Sequence, residues 1–124
     1  MLGDNDAIAT IPVRNIDVAR SFYQDKLGLM AGPSEERGVL TCKSGASSML
    51  VYESKYAGTN EATAATWAVD DVDGMVRSLK EKGVTFEHYD MPNMKREGDV
   101  HVSGSMKAAW FKDPDGNILA VVSR

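Results

Sequence analysis

The chain reads as an α+β domain built from two similar halves, and two observations carry that expectation. The first is an internal repeat. Shifting the 124-residue sequence by 56 positions lays Ala9, Thr10, Val13, Ile16, Asp17 and Lys26 on Ala65, Thr66, Val69, Val72, Asp73 and Lys82. A long period with two copies marks a duplicated unit, not a solenoid. The second is the order of short apolar runs and amphipathic segments, which gives strand–helix–strand–strand–strand in each half.

Taken in order, Met1 to Asp6 is polar and expected to fray. Ile8–Val13 alternates as a strand, with Pro12 pointing to an edge or a bulge because it lacks an N–H. Asn15 or Asp17 can cap the next helix, whose apolar positions Ile16, Ala19, Phe22, Tyr23 and Leu27 recur at helical spacing. Gly28 suits its C-terminal cap. Leu29–Pro33 is a short strand, and Gly38–Lys43 with Ser48–Glu53 reads as a hairpin around Ser44-Gly45-Ala46-Ser47. A polar connector, Ser54–Thr63, separates the halves.

Ala64–Val69 then restarts the pattern. Asp71 or Asp73 caps a helix with Val72, Met75, Val76 and Leu79 on one face, and Gly83 ends it. Val84–Glu87 is a short strand. His88–Ser105 is read as a long polar loop broken by Gly and Pro, a kind of segment that is often functional. Met106–Lys112 and Asn117–Val122 close the chain as a hairpin about Asp113-Pro114-Asp115-Gly116. Pro stands where a type I turn wants it and Gly at the left-handed bulge position. The expected organisation is one domain over residues 1–124, with modules at about 7–54 and 64–123.

Composition narrows the function classes. Hydrophobic content of 43% and charged content of 26% are ordinary for a globular domain. A net charge of -4 argues against nucleic acid or an anionic membrane as partner. No apolar run is long enough to cross a bilayer, and the N-terminus lacks the basic and apolar regions of a signal peptide. The lone Cys42 excludes an intrachain disulfide or a thiolate metal cluster. A cytoplasmic protein is the expectation.

The segments ATxxV…D…FY…LG, ATWAVDDVD and FKDPDGNILAVVS, in this order and spacing, resemble the vicinal oxygen chelate superfamily. This is the glyoxalase I, bleomycin-resistance and extradiol-dioxygenase group, and the likeness runs from Ala7 to Ser123. The resemblance implies paired βαβββ modules whose mixed sheets curl around a cleft, commonly completed by homodimerisation. It also implies, for metal-dependent members, one ligand from each of four strands. The first His position falls on Ile8, its repeat partner on Ala64 and the last glutamate on Ala120, while the fourth-strand carboxylate falls near Val51 or Tyr52 with Glu53 beside it. Divalent ions of this kind need several converging N/O ligands. No metal and no cofactor are therefore expected.

Side chains alternate along a strand. With Ile8 and Ala64 facing the cleft, Thr10, Pro12, Thr66 and Ala68 face it too, while Ile11, Val13, Trp67 and Val69 pack on the helices. The closing turn pairs Asp113 with Asn117, which sets Trp110 opposite Ala120 and brings Met106 and Ala108 to the same side. The same count turns Leu40, Cys42, Met49, Val51 and Glu53 inward. Met91 and Met94 add adaptable side chains from the long segment.

Several residues carry two readings. Cys42 as a nucleophile would need a base and a lowered pKa, and an inert strand cysteine is favoured. His88 and His101 are read as solvent-facing, with His101 kept as a possible ligand contact or base. Trp67 and Tyr23 are read as packing residues. Trp110 is either cleft or core, depending on a one-residue slip of the turn, and Glu53 is either a lone polar contact or a strand end in water. The resulting ligand set is Ile8, Thr10, Leu40, Cys42, Met49, Val51, Glu53, Thr66, Met94, His101, Met106, Trp110 and Ala120. The expected function is metal-free binding of a hydrophobic or aromatic small molecule, such as an antibiotic, by a homodimer. The alternative is a glyoxalase- or dioxygenase-like enzyme with an atypical site, using either an alternative metal site or a metal-free acid–base route through Glu53 and His101.

Overall fold

The computed structural model describes residues 1–32 and 37–124. After a 3-10 turn at Leu2–Asp4, the first half runs β1 (Ala9–Val13), α1 (Ile16–Arg20), β2 (Met30–Ala31), β3 (Val39–Ser44) and β4 (Ser47–Glu53). The second runs β5 (Thr63–Val69), α2 (Val72–Glu81), β6 (Phe86–Glu87), β7 (Lys95–Glu97), β8 (Val100–Ser103), β9 (Met106–Lys112) and β10 (Ile118–Ser123). The result is a mixed α+β fold with two sheets. The first is ordered β1-β4-β3-β2 and the second β5-β10-β9-β8-β7, with β6 paired to β9. In each sheet the first strand lies parallel to the last, β1 to β4 and β5 to β10, as duplication requires.

Local chemistry explains the elements. Asn15 is the cap of α1, its Oδ1 accepting from the backbone N–H groups of Asp17 and Val18. Asp71 does the same for α2 through Gly74 N–H. Beyond Arg20 the first helix widens into a π turn over Ser21–Lys26, with Leu27 N–H reaching back to Phe22 O at 3.1 Å. Within it the adjacent Phe22 and Tyr23 are both buried. Pro12 sits in β1, an edge strand, where its missing N–H costs no ladder bond. The strand expected to run to Pro33 is seen at Met30–Ala31, and Pro33 lies outside the described residues.

The stretch 88–105 is not one loop. Lys95–Glu97 and Val100–Ser103 pair as an antiparallel hairpin, with Gly98 at φ 65° in its turn. The run Lys95-Arg96-Glu97, expected to be a solvated loop, is thus an exposed edge strand. The described residues share a buried apolar cluster fed by both halves, from Ile11, Val13 and Tyr23 to Phe111, Leu119 and Val121.

One buried polar network ties the halves together. Tyr23 OH donates to Asp113 Oδ2 at 2.7 Å, and Asn117 Nδ2 donates both to Asp113 Oδ2 and to Pro12 O, each at 2.7 Å. Asp113 Oδ1 accepts from the backbone of Asp115 and Asn117. Burial first, then the Asp113 carboxylate, pushes the Tyr23 phenol far above its ordinary value. The closing turn is also covered by the connector: a Cβ on Gly58, at φ 73°, would run into the carbonyl oxygen of Asp115.

Candidate functional site

Strand register decides which side chains share a face. In the second sheet Ala120 pairs with Trp110 and with Thr66, and His101 pairs with Ala108. Alternation then puts Thr66, Met106, Ala108, Trp110, Ala120 and His101 on the face away from α2. The register around Asp113–Asn117 is the one the turn chemistry predicts, with Asp113 N–H bonded to Asn117 O at 3.0 Å. Trp110 therefore belongs to this open face, and its Nε1 donates to Thr63 Oγ1 at 3.2 Å.

Trp110 is the centre of a ring cluster. His101 meets it edge-on at 4.9 Å and Tyr89 edge-on at 5.6 Å. Tyr89 N–H donates to His101 Nε2 at 3.0 Å. Tyr89 and Trp110, with Met91, Thr63 and Ile118 among others, wall a cavity of about 260 Å³. His101 is 1% exposed, so the reading of a solvent-facing histidine is corrected: β8 carries it beneath Tyr89. His88 is half exposed and its Nε2 donates to Asp99 Oδ1 at 2.7 Å, beside Lys80 on Asp99 Oδ2 at 2.6 Å. The hydrogen bond from Lys80, then that from His88, holds the Asp99 carboxyl below its usual range.

The first sheet corrects five inward assignments. Ala9 pairs with Met49, Ile11 with Val51 and Val13 with Glu53, while Leu40 pairs with Val51 and Cys42 with Met49. Leu40, Cys42, Met49 and Val51 therefore share the helix-side face with Ile11 and Val13, and all four are buried in the core. Burial pushes the Cys42 thiol up, with Arg20 opposing, as suits an inert cysteine. Glu53 points to the same side, where its Oε1 accepts the Ile16 N–H at 3.2 Å at the start of α1. The open face of this sheet instead carries Thr10, Thr41, Leu50 and Tyr52. Ile8, just before β1, is 55% exposed and borders a cavity of about 640 Å³ with Ser47 and Ser48. Met94 precedes β7 and is not part of the Trp110 cavity, whose methionine is Met91.

Signals for two missed residues were thin. Tyr89 sits in a polar stretch without period. Thr63 reads in the sequence as the end of the polar connector, yet it opens β5. Trp67 packs against the core as expected, its Nε1 donating to Ser44 Oγ at 2.8 Å.

The metal of the superfamily finds no matching donors. Ile8, Ala64 and Ala120 offer no ligand atom, and Glu53 is engaged at α1. Among the described residues no three His, Cys, Asp or Glu side chains converge in a way that could hold an ion. No helix among them is long and apolar enough to cross a membrane.

Comparison with solved structures returns the same fold at low identity. A glyoxalase family protein from Enterococcus faecalis superposes with a TM-score of 0.74 at 19% identity, covering 98% of this chain and 99% of that one. The genomically encoded fosfomycin resistance protein FosX from Listeria monocytogenes gives 0.72 at 13% identity, covering 97% and 93%. A glyoxalase/bleomycin resistance protein/dioxygenase from Alicyclobacillus acidocaldarius gives 0.71 at 18%, covering 97% and 91%. No curated protein sequence matches the chain. The model of the Glyoxalase/Bleomycin resistance protein/Dioxygenase superfamily matches residues 6–121, and with the duplicated sheets and the closing hairpin described above, the chain belongs to that family.

Proposed function

We propose that the protein binds a hydrophobic or aromatic small molecule without a metal ion, sequestering it without chemical turnover. The observation that supports this is the cavity of about 260 Å³ walled by Trp110, Tyr89, Met91, Ile118 and Ala62, with Glu61 and Thr63 as its polar members, beside the sheet face that carries Ala120 opposite Trp110. Pockets lined by apolar and aromatic side chains with few polar groups suit such ligands. An antibiotic is a fitting candidate, since a structural neighbour is a fosfomycin resistance protein.

A homodimer in the cytoplasm is part of the proposal. Within one chain the open faces lie on separate sheets, and the first bears Leu50 and Tyr52 on the side opposite the buried Ile11 and Val51. A second copy laid across these faces would close a larger cleft. Acid–base chemistry through Glu53 and His101 gains no support, because Glu53 serves α1 and His101 lies on the other sheet.

Tryptophan fluorescence across bleomycin, mitomycin and enediyne compounds, with Trp110→Phe as control, tests the reading. Saturable quenching in the wild type that is lost in the variant is expected. Unchanged emission across the panel, or turnover of a bound compound, would overturn it. Sedimentation of the free protein at monomer mass would remove the dimer.

A further inference from the structure

His101 is almost wholly buried, yet its Nδ1 has no hydrogen-bond partner among the described residues, and the Tyr89 hydroxyl shares that condition. The other ring nitrogen, Nε2, accepts the Tyr89 N–H at 3.0 Å. An acceptor nitrogen needs its lone pair, so the proton of the neutral ring resides on Nδ1. The unpartnered atom is a donor. Buried donors without acceptors are uncommon, because the lost water has not been replaced. Both orphan atoms belong to the Trp110 ring cluster, and two of its three rings, Tyr89 and Trp110, wall the 260 Å³ cavity.

We propose that His101 Nδ1–H and the Tyr89 hydroxyl select ligands bearing a hydrogen-bond-accepting oxygen, of the ketone or quinone type, on a flat apolar ring system. This rests on the small-molecule reading above and supplies its ligand class. Trp110, Met91 and Ile118 take the ring body. Both atoms are covered in the free chain and His101 does not itself line the cavity, so binding requires the Tyr89 side chain to rotate, uncovering His101 Nδ1 and carrying its own hydroxyl onto the ligand oxygen. Swinging one side chain of the segment between β6 and β7 breaks no sheet pairing, because that segment carries none. A hydrocarbon of the same shape leaves the donor unpaired, and sites built to hydrogen-bond a ligand discriminate strongly against analogues that lack the partner.

Indanone and indane share one fused-ring frame, with and without a carbonyl. Both are titrated calorimetrically into wild type, His101→Phe and Tyr89→Phe, and the imidazole nitrogens are followed by proton–nitrogen correlation spectra. Indanone should bind about tenfold tighter than indane to the wild type, a difference of about 1.4 kcal/mol. The Nδ1–H resonance should move with indanone alone. The preference should shrink in Tyr89→Phe and in His101→Phe, each of which leaves one of the two donors in place. Equal binding of both compounds with an unmoved Nδ1 overturns the donor role and leaves the cleft reading intact. An Nδ1 already paired with a buried water, and unchanged by indanone, also overturns it. Binding of neither compound removes the cleft reading itself. Should His101→Phe fail to fold, Tyr89→Phe carries the comparison, since it deletes a single oxygen.

Discussion

Replacing Tyr23 by Phe tests how the two halves are locked. Tyr23 is fully buried and donates at 2.7 Å to Asp113, so the substitution removes one charge-assisted hydrogen bond and no packing volume of note. Such bonds contribute about 1.5–3 kcal/mol. Asp113 keeps its bonds from Asn117 and from the turn backbone, which argues for the middle of that range, about 2 kcal/mol. For a domain of this size that is a fall in Tm of roughly 6–10 °C. The pH dependence gives an independent signature. The folded-state pKa of Tyr23 is raised, so its contribution is whole below the unfolded value of about 10 and is lost as pH rises beyond it. Above that point the wild type loses about 1.4 kcal/mol per pH unit that Tyr23→Phe does not, and the gap between them closes. Urea titrations of both proteins at pH 7 and pH 11 measure this directly. A variant within about 0.5 kcal/mol of wild type at pH 7, or a gap that does not narrow at pH 11, would refute the lock.

Asp99, Gly58 and Cys42 each carry a further expected outcome. Asp99→Asn should cost about 0.5–1 kcal/mol at neutral pH, the scale of a partly exposed ion pair. Because the folded Asp99 pKa is lowered, that difference should be present above about pH 4 and disappear as pH falls further, as acid denaturation of both proteins would show. Gly58→Ala puts a Cβ onto the Asp115 carbonyl at a positive φ, and thermal melts should register a loss of about 1–3 kcal/mol. Cys42, buried with its thiol pushed up, should resist a thiol reagent in the native protein and react at the rate of unfolding.

What was legible in the sequence was whatever local chemistry alone decides. Asp113-Pro114-Asp115-Gly116 sets its own turn and so the register that places Trp110 opposite Ala120. Asn15, Asp71, Gly28 and Gly83 cap or end helices by short-range bonds. The first hairpin failed for a different reason. Its register about Gly45-Ala46 was close to right, but a hairpin count fixes which residues share a face, not which face is covered. That choice comes from β1 lying parallel to β4, with Ile11 opposite Val51, and no short-range signal encodes it. Glu53 followed the same error, and its carboxylate turned out to serve α1. The hairpin at residues 95–103 was hidden by charge, although Val100 and Val102 alternate about His101 between Gly98 and Gly104.

The candidate site and its support come from opposite halves. Trp110, Tyr89, His101 and Ala120 all belong to the second half, yet the turn joining β9 to β10 is held by Tyr23 and by Pro12 O of the first. Arg14 adds its backbone N–H and guanidinium on Asp115, at 3.2 and 3.4 Å. One end of the site-bearing hairpin is therefore fixed against the core. The other wall, Tyr89 and Met91, lies on a segment with no sheet partner of its own. Under the proposed binding mode, a Trp110 held by the hairpin and a Tyr89 outside any sheet pairing would let one scaffold admit ligands of differing thickness without disturbing the core that both halves share.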